Sequence, residues 1–176
     1  MDARKGVNMG NRRLVENLHK CHIKGDVVIT DPCYLVHGYN YDGCCNWMTG
    51  LSIMDLNPFI QSFTTIYGDW SCTTYDCTNA KNGEINKPIG EFGADSGMVC
   101  VCELSNLLSK NPSFEQWIKD HDWCVTVIKN FDGEVQINKY EYEENEESEI
   151  EEIIVVEGFG TKDGMRFEFA TKQNGM

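Results

Sequence analysis

The sequence predicts an α+β chain that is predominantly antiparallel β, a sheet or sandwich closing in a C-terminal meander, with two or three short helices. Three observations carry this. Short β-branched or alternating runs recur along the chain, Gly, Asp, Asn and Pro separate them, and the 176 residues suit one domain with a core that needs no disulfide staples. Residues 1–10 are expected to be a flexible N-terminus, and 11–176 a single globular domain with an acidic connection at about 141–152.

The elements follow in order. Asn11 is placed to cap a short helix with Leu14, Val15 and Leu18 on one face. Gly25-Asp26 ends that pattern. Val27–Thr30 is a strand stopped by Asp31-Pro32, because proline has no amide for a central ladder. Residues 34–49 read as a loop packed by its own aromatic side chains. A short helix is expected from near Pro58, since proline suits a first turn but not a helix interior. Gly68-Asp69 between Thr64–Tyr67 and Trp70–Tyr75 is a hairpin signal.

A polar loop at Asn79–Lys87 precedes a brief strand, Ile89–Phe92, and the turn Asp95-Ser96-Gly97 leads into the strand Met98–Cys102. Ser113 and Gln116 form a capping box for a helix ending near Lys119. The last third repeats one device: strand Trp123–Lys129, turn Asp132-Gly133, strand Glu134–Glu143, then strand Ile153–Gly158, turn Asp163-Gly164 and strand Met165–Thr171. Asp-Gly between alternating runs is a strong hairpin signal, so two hairpins are expected.

Charge narrows the function. Fifteen Lys and Arg against 28 Asp and Glu give a net charge of −13, a poor match to a phosphate backbone, so direct nucleic-acid binding is not expected. Eight of the acids fall between Glu141 and Glu152, whereas the first 24 residues lean basic. In an extended chain Glu147, Glu149 and Glu151 recur on one side, a row that would imitate a nucleic-acid backbone or dock on a basic protein groove. No run approaches the roughly 20 apolar residues of a membrane span, and Met1–Lys20 lacks an apolar signal-peptide region. No membrane association is expected. Nine cysteines, an odd number, are read as mostly reduced, with Cys72, Cys100, Cys102 and Cys124 in core strands. Cys33, Cys44, Cys45 and Cys77 lie in turn-rich surroundings where redox or metal roles are open.

Several constellations offer chemistry. Asp31, Asp69 and Asp95 sit at strand ends or turns; brought together they would hold a divalent cation or work as an acid and base pair, and taken singly they are ordinary turn residues. Ser96 beside Asp95 lacks an adjacent base, and no Gly-x-Ser-x-Gly elbow is present. Cys33, His37, Cys44 and Cys45 have zinc-ligand chemistry without knuckle spacing. Tyr34, Tyr39, Tyr41, Trp47, Tyr67 and Trp70 form an aromatic group that suits loop packing or a ligand pocket.

In the motifs Val28-Ile-Thr-Asp-Pro-Cys-Tyr34, Tyr67-Gly-Asp-Trp70, Gly93-Ala-Asp-Ser-Gly-Met98 and the closing hairpin from Gly158 to Phe169, the chain resembles a group of uncharacterised bacterial and phage-borne proteins. The resemblance covers roughly residues 25–171. It implies a β-rich single domain of the bacterial host cytosol and no particular reaction.

The leading expectation is a non-catalytic binding module, associated with a phage or mobile element, that recognises a basic protein partner or a small ligand. Tyr34, Trp70, Glu146, Glu147, Glu149 and Glu151 are the binding candidates. Two alternatives stand beside it. One is a metal-dependent hydrolase with Asp31, Asp69, Asp95 and Ser96 as catalytic candidates, and the other an acidic inhibitor that mimics nucleic acid. No cofactor is expected outside the hydrolase reading, and the oligomeric state is open.

Overall fold

The computed structural model describes residues 11–36, 59–62, 70–78, 87–94, 97–110, 112, 114–143 and 150–174. Its strands are β1 (Asn11–Thr30), β2 (Phe59–Ser62), β3 (Trp70–Asp76), β4 (Lys87–Ala94), β5 (Met98–Glu103), β6 (Val125–Glu143), β7 (Ile150–Lys162) and β8 (Met165–Gln173). The helices are α1 (Cys33–Val36), α2 (Leu104–Lys110) and α3 (Phe114–Asp120). The predominantly antiparallel class with a few short helices is therefore correct. The described strands form one sheet in the order β2-β5-β1-β6-β7-β8-β3-β4, in place of the two layers of a sandwich. The last three strands make a meander, of three strands where four were expected.

The sheet curls, so that β4 at one edge comes back against β6 and β1. Thr74 of β3 meets Thr126 of β6 at 3.0 Å, and a side chain at Gly90 of β4 would collide with Thr126. The concave side holds Val27, Ile29, Phe92, Val101, Phe131, Ile137, Val156 and Phe169, all buried. Phe131 packs edge-on against Phe167 and Phe169, with centroids 6.5 and 5.6 Å away. Small residues let these rings in: a Cβ on Gly158 would lie within 1.8 Å of the Phe169 ring.

The convex side differs from end to end. Around Val28, Cys100, Cys102 and Val125 it is covered by the helices, through Tyr34, Leu35, Leu104, Leu107, Phe114 and Trp117. Leu104 and Leu107, like Phe114 and Trp117, are three residues apart and so share a helix face. Trp117 stacks between Phe114 and His121, at 4.8 and 4.9 Å between centroids. Along the rest of β1, β6 and β7 the convex side carries a polar chain. Asn17 donates to Asn138 (2.7 Å), while Asn138 and the Tyr140 hydroxyl both donate to the buried Glu157 carboxylate (2.6 and 2.7 Å).

Four expectations need correction. Residues 11–24 are the first part of β1 and not a helix. Their register against β6 skips Val15 and Leu18, and these bulges break the period-2 pattern so that Leu14, Val15 and Leu18 imitate helical spacing. The helix expected from Pro58 is replaced at Phe59–Ser62 by β2, which pairs with β5. Asp132-Gly133 is no turn: β6 runs straight through it, with Asp132 opposite Lys24 and Thr161, and Gly133 opposite Ile23 and Gly160. Gly133 is glycine because a Cβ there would stand 2.3 Å from the Phe159 carbonyl oxygen. Finally, Cys77 is buried with Tyr140, Ile153 and Ala170, and its thiol donates to the Glu168 carbonyl (3.7 Å).

The Asp163-Gly164 turn is as expected. Both residues have positive φ (53° and 80°), the type I′ geometry that joins twisted strands. The α3 helix and the strand Met98–Glu103 also follow the reading, while α2 carried no capping signal and was missed. The partner strand Thr64–Tyr67 of the expected Gly68-Asp69 hairpin lies outside the described residues. Cys72, Cys100, Cys102 and Cys124 are buried free thiols, as expected.

Candidate functional site

Of the sequence-predicted residues, Asp31 and Tyr34 lie beside the β3–β4 pair that carries Trp70. Asp31, at the end of β1, is 0% exposed. Its backbone carbonyl accepts from Tyr34 N (3.1 Å), the first bond of the α1 turn. Tyr34 is buried with its hydroxyl over Gly93, where a Cβ would lie 2.5 Å from that oxygen, and its ring is tilted 6.4 Å from Trp117. Trp70 is the register partner of Ala94, and Gly97 N donates to Ala94 O (3.0 Å). Asp69, Asp95 and Ser96 lie outside the described residues.

The chemistry around Asp31 is that of a packed interior. Burial, and then the Asp31 charge, push the Cys72 thiol well above its ordinary range. For Cys100 the hydrogen bond with Cys102 leads, followed by burial and the charge of Asp31. Such thiols are inert because the thiolate is the reactive form. Of the zinc candidates, Cys33 has a backbone place in α1, and His37, Cys44 and Cys45 lie outside the described residues. Among the described residues no group of three His, Cys, Asp or Glu is arranged to hold a metal.

The first residues of the acidic strip, Glu141–Glu143, pair with Asn11–Arg13 at the basic end of the chain. Asn11, Arg12 and Arg13 are the register partners of Glu143, Tyr142 and Glu141. Arg13 bridges Glu141 at 2.5 Å, and Lys139 reaches Glu152 at 3.8 Å. Part of the strip is thus neutralised within the chain. Glu151 pairs with Tyr142 in β7, and Glu146, Glu147 and Glu149 lie outside the described residues.

A cleft of about 470 Å³ opens between β4, the end of β3 and the β7–β8 hairpin, with β6 as its floor. That size suits a small ligand. Its apolar part is Ile89, Val127, Ile128, Met165 and Phe167, with Met165 75% exposed. Lys87, Lys162 and Arg166 also line it, against Asp76 and Asp163, so its formal charge is positive in a chain of −13. Arg166 is engaged with Glu168 (2.8 Å) and Lys162 with Asp163 (3.3 Å), while Lys87 has no ion-pair partner among the described residues.

Local sequence explains the frame of the cleft. The type I′ turn sends Met165 outward opposite Lys162. Asn130, also at positive φ (56°), braces that turn: its side-chain amide donates to Asp163 (2.7 Å), and its carbonyl accepts from Asp163 N (3.1 Å). The Asn130 hydrogen bond, followed by Lys162, holds the Asp163 carboxyl below its usual range. Asp76 is fixed by the amide and hydroxyl of Thr78 (3.0 and 2.6 Å).

None of these cleft residues was singled out in the sequence. Asp163-Gly164 was read as a turn and Met165–Thr171 as a strand, and only the curl of the sheet sets them beside Lys87 and Ile89, about 75 positions earlier in the chain. The available signal was two cations and a large apolar residue flanking a rigid turn. Comparison with known protein families, curated proteins and solved structures gave no match. Among the described residues no helix is long and apolar enough to cross a membrane.

Proposed function

We propose that this chain is a binding module that takes a small amphiphilic anion in the cleft between β4 and the β7–β8 hairpin. One observation carries the reading: Lys87, Lys162 and Arg166 surround the apolar side chains of Ile89, Met165 and Phe167 in a strongly acidic protein. Cations in a semi-enclosed cleft focus potential locally even when the net charge has the opposite sign. An anionic head beside an apolar tail meets both halves of that wall. Lys162 and Arg166 already hold acids, so Lys87 supplies the main new contact, and Met165 adapts to the tail as a flexible thioether does.

The other expectations draw less support. A basic protein partner would compete with Arg13 and Lys139 for Glu141 and Glu152, and a nucleic-acid mimic needs an uninterrupted row of free charges. A hydrolase centred on the three aspartates needs Asp31 to reach substrate, whereas Asp31 is enclosed beside Cys72 and Cys100.

Calorimetric titration with decanoate and with decanol tests the proposal. Decanoate should bind and decanol bind more weakly, and Lys87→Glu should weaken decanoate about tenfold or more, with unchanged circular dichroism. Absence of decanoate binding, or equal affinity for the Lys87→Glu variant, would overturn it.

A further inference from the structure

We infer that the cleft is built for an N-acyl-α-amino acid: its carboxylate meets Lys87, its amide N–H donates to Asp76, and its acyl chain lies along Ile89, Met165 and Phe167. The inference rests on the cleft reading and names the ligand class. Of the three cations there, Lys162 holds Asp163 and Arg166 holds Glu168, and Lys87 has no ion-pair partner among the described residues. The two acids differ in the same way. Asp163 is engaged through both oxygens, Oδ1 by Asn130 (2.7 Å) and Oδ2 by Lys162 (3.3 Å). Asp76 uses Oδ1 alone, for the amide and hydroxyl of Thr78 (3.0 and 2.6 Å), and its Oδ2 accepts no hydrogen bond among the described residues.

Local structure sets the free cation and the free acceptor side by side. Lys87 and Asp76 are register partners, and residues directly opposite on antiparallel strands share a face, with Cβ atoms about 4.5–5.5 Å apart. The Asp76 carboxylate is held in place: the Thr78 hydroxyl accepts from Glu168 N (3.0 Å), which turns its own proton toward Asp76 Oδ1. Further along β4 the register passes from Pro88 to Gly90 and skips Ile89, a bulge on an edge strand, where a proline without an amide is tolerated. A bulge re-aims a side chain, and Ile89, 37% exposed, lines the cleft.

These groups select a ligand by its head and its tail. One carbon separates the carboxylate of an N-acyl-α-amino acid from its amide nitrogen, a spacing that spans two cross-strand neighbours. A phosphate or sulfate head would press further oxygens against Asp76, which has no proton to donate. A free ammonium in place of the amide would stand among Lys87, Lys162 and Arg166, whereas a neutral N–H meets no such repulsion. Beyond the head, Ile89, Met165 and Phe167 give an acyl chain an apolar path in the cleft of about 470 Å³.

Calorimetric titration of the full chain with N-octanoylglycine, its ester analogue octanoyloxyacetate, and decanoate tests this. The ester keeps length and charge and replaces the donating N–H by an oxygen that turns lone pairs toward Asp76. Octanoylglycine should bind about tenfold or more tighter than the ester. In Asp76→Asn the Thr78 amide keeps the side-chain carbonyl oxygen, so the side-chain amide NH2 faces the ligand and the preference should disappear or reverse. Equal affinity for amide and ester in the wild type, with decanoate bound, would overturn this inference and leave the cleft reading standing. A preference that survives in Asp76→Asn, or tighter binding of free leucine than of octanoylglycine, would overturn it as well. No binding of any of these ligands would overturn both. The wild-type comparison of amide and ester decides the matter even where the variant fails to fold.

Discussion

The two ends of the long β1–β6 pair solve the same problem differently. At Val27–Thr30 and Val125–Ile128 the ladder is short, but three helices cover its convex face with Leu35, Leu107, Phe114 and Trp117. From Asn11 to Gly25 the ladder is long, and its two faces carry cross-strand polar links: Arg13–Glu141, Lys20–Glu134 (3.5 Å), His22–Asp132 (2.7 Å) and the buried Asn138–Glu157–Tyr140 group. Apolar burial stabilises the first end without specifying register. Polar links add little stability at the surface, yet each is made in one register alone. The helical end holds the fold, and the ribbon end fixes alignment.

Truncating the helical cover should have the largest effect. Leu107→Ala removes a fully buried side chain and is expected to cost about 2–5 kcal/mol, seen as a lower urea midpoint with an unchanged slope. A loss under about 1 kcal/mol would show that the helices are dispensable and break the comparison.

Next comes the buried polar group of the ribbon. Tyr140→Phe deletes one of two donors to Glu157 and should cost about 1–3 kcal/mol. A neutral result would place the ribbon's stability in its backbone ladder alone.

A smaller effect is expected at the braced turn, where Asp163→Asn keeps a residue tolerant of positive φ and removes only the charge. Because the folded carboxyl titrates below its ordinary range, its stabilisation is present above the unfolded value and lost as pH falls through the depressed folded one. The melting-temperature difference between wild type and variant should therefore close in that acid window; a gap that persists at lower pH would contradict the assignment.

The smallest effect belongs to Arg13→Ala. The Arg13 side chain is 78% exposed, so the change should be under about 1 kcal/mol and should vanish at high salt. A salt-independent loss would mean that this bridge does more than align strands.

How far the sequence reached varies with locality. Strand Val27–Thr30, helix α3, the Met98–Glu103 strand and the Asp163-Gly164 turn were legible because their signals lie within a few residues. Asp31, Asp69 and Asp95 were grouped by turn chemistry; of these Asp31 is described, and it is buried beside Cys72 and Cys100. The cleft was illegible, since Lys87 and Arg166 become neighbours only through the curl of the sheet.

The two Asp-Gly pairs divide what sequence determines from what tertiary structure decides. Sequence alone determined that the chain would be β-rich and antiparallel, because alternation and turn residues act locally. At Asp163-Gly164 nothing opposes the local preference, and the turn forms. At Asp132-Gly133 the same dipeptide is flanked by β1 on one side and β7 on the other, and Gly133 lies against Gly160 where no side chain fits. Ladder bonds on two sides and that close backbone approach outweigh one turn preference, so the chain continues straight. Partners far away in sequence set that balance, and only the folded sheet supplies them.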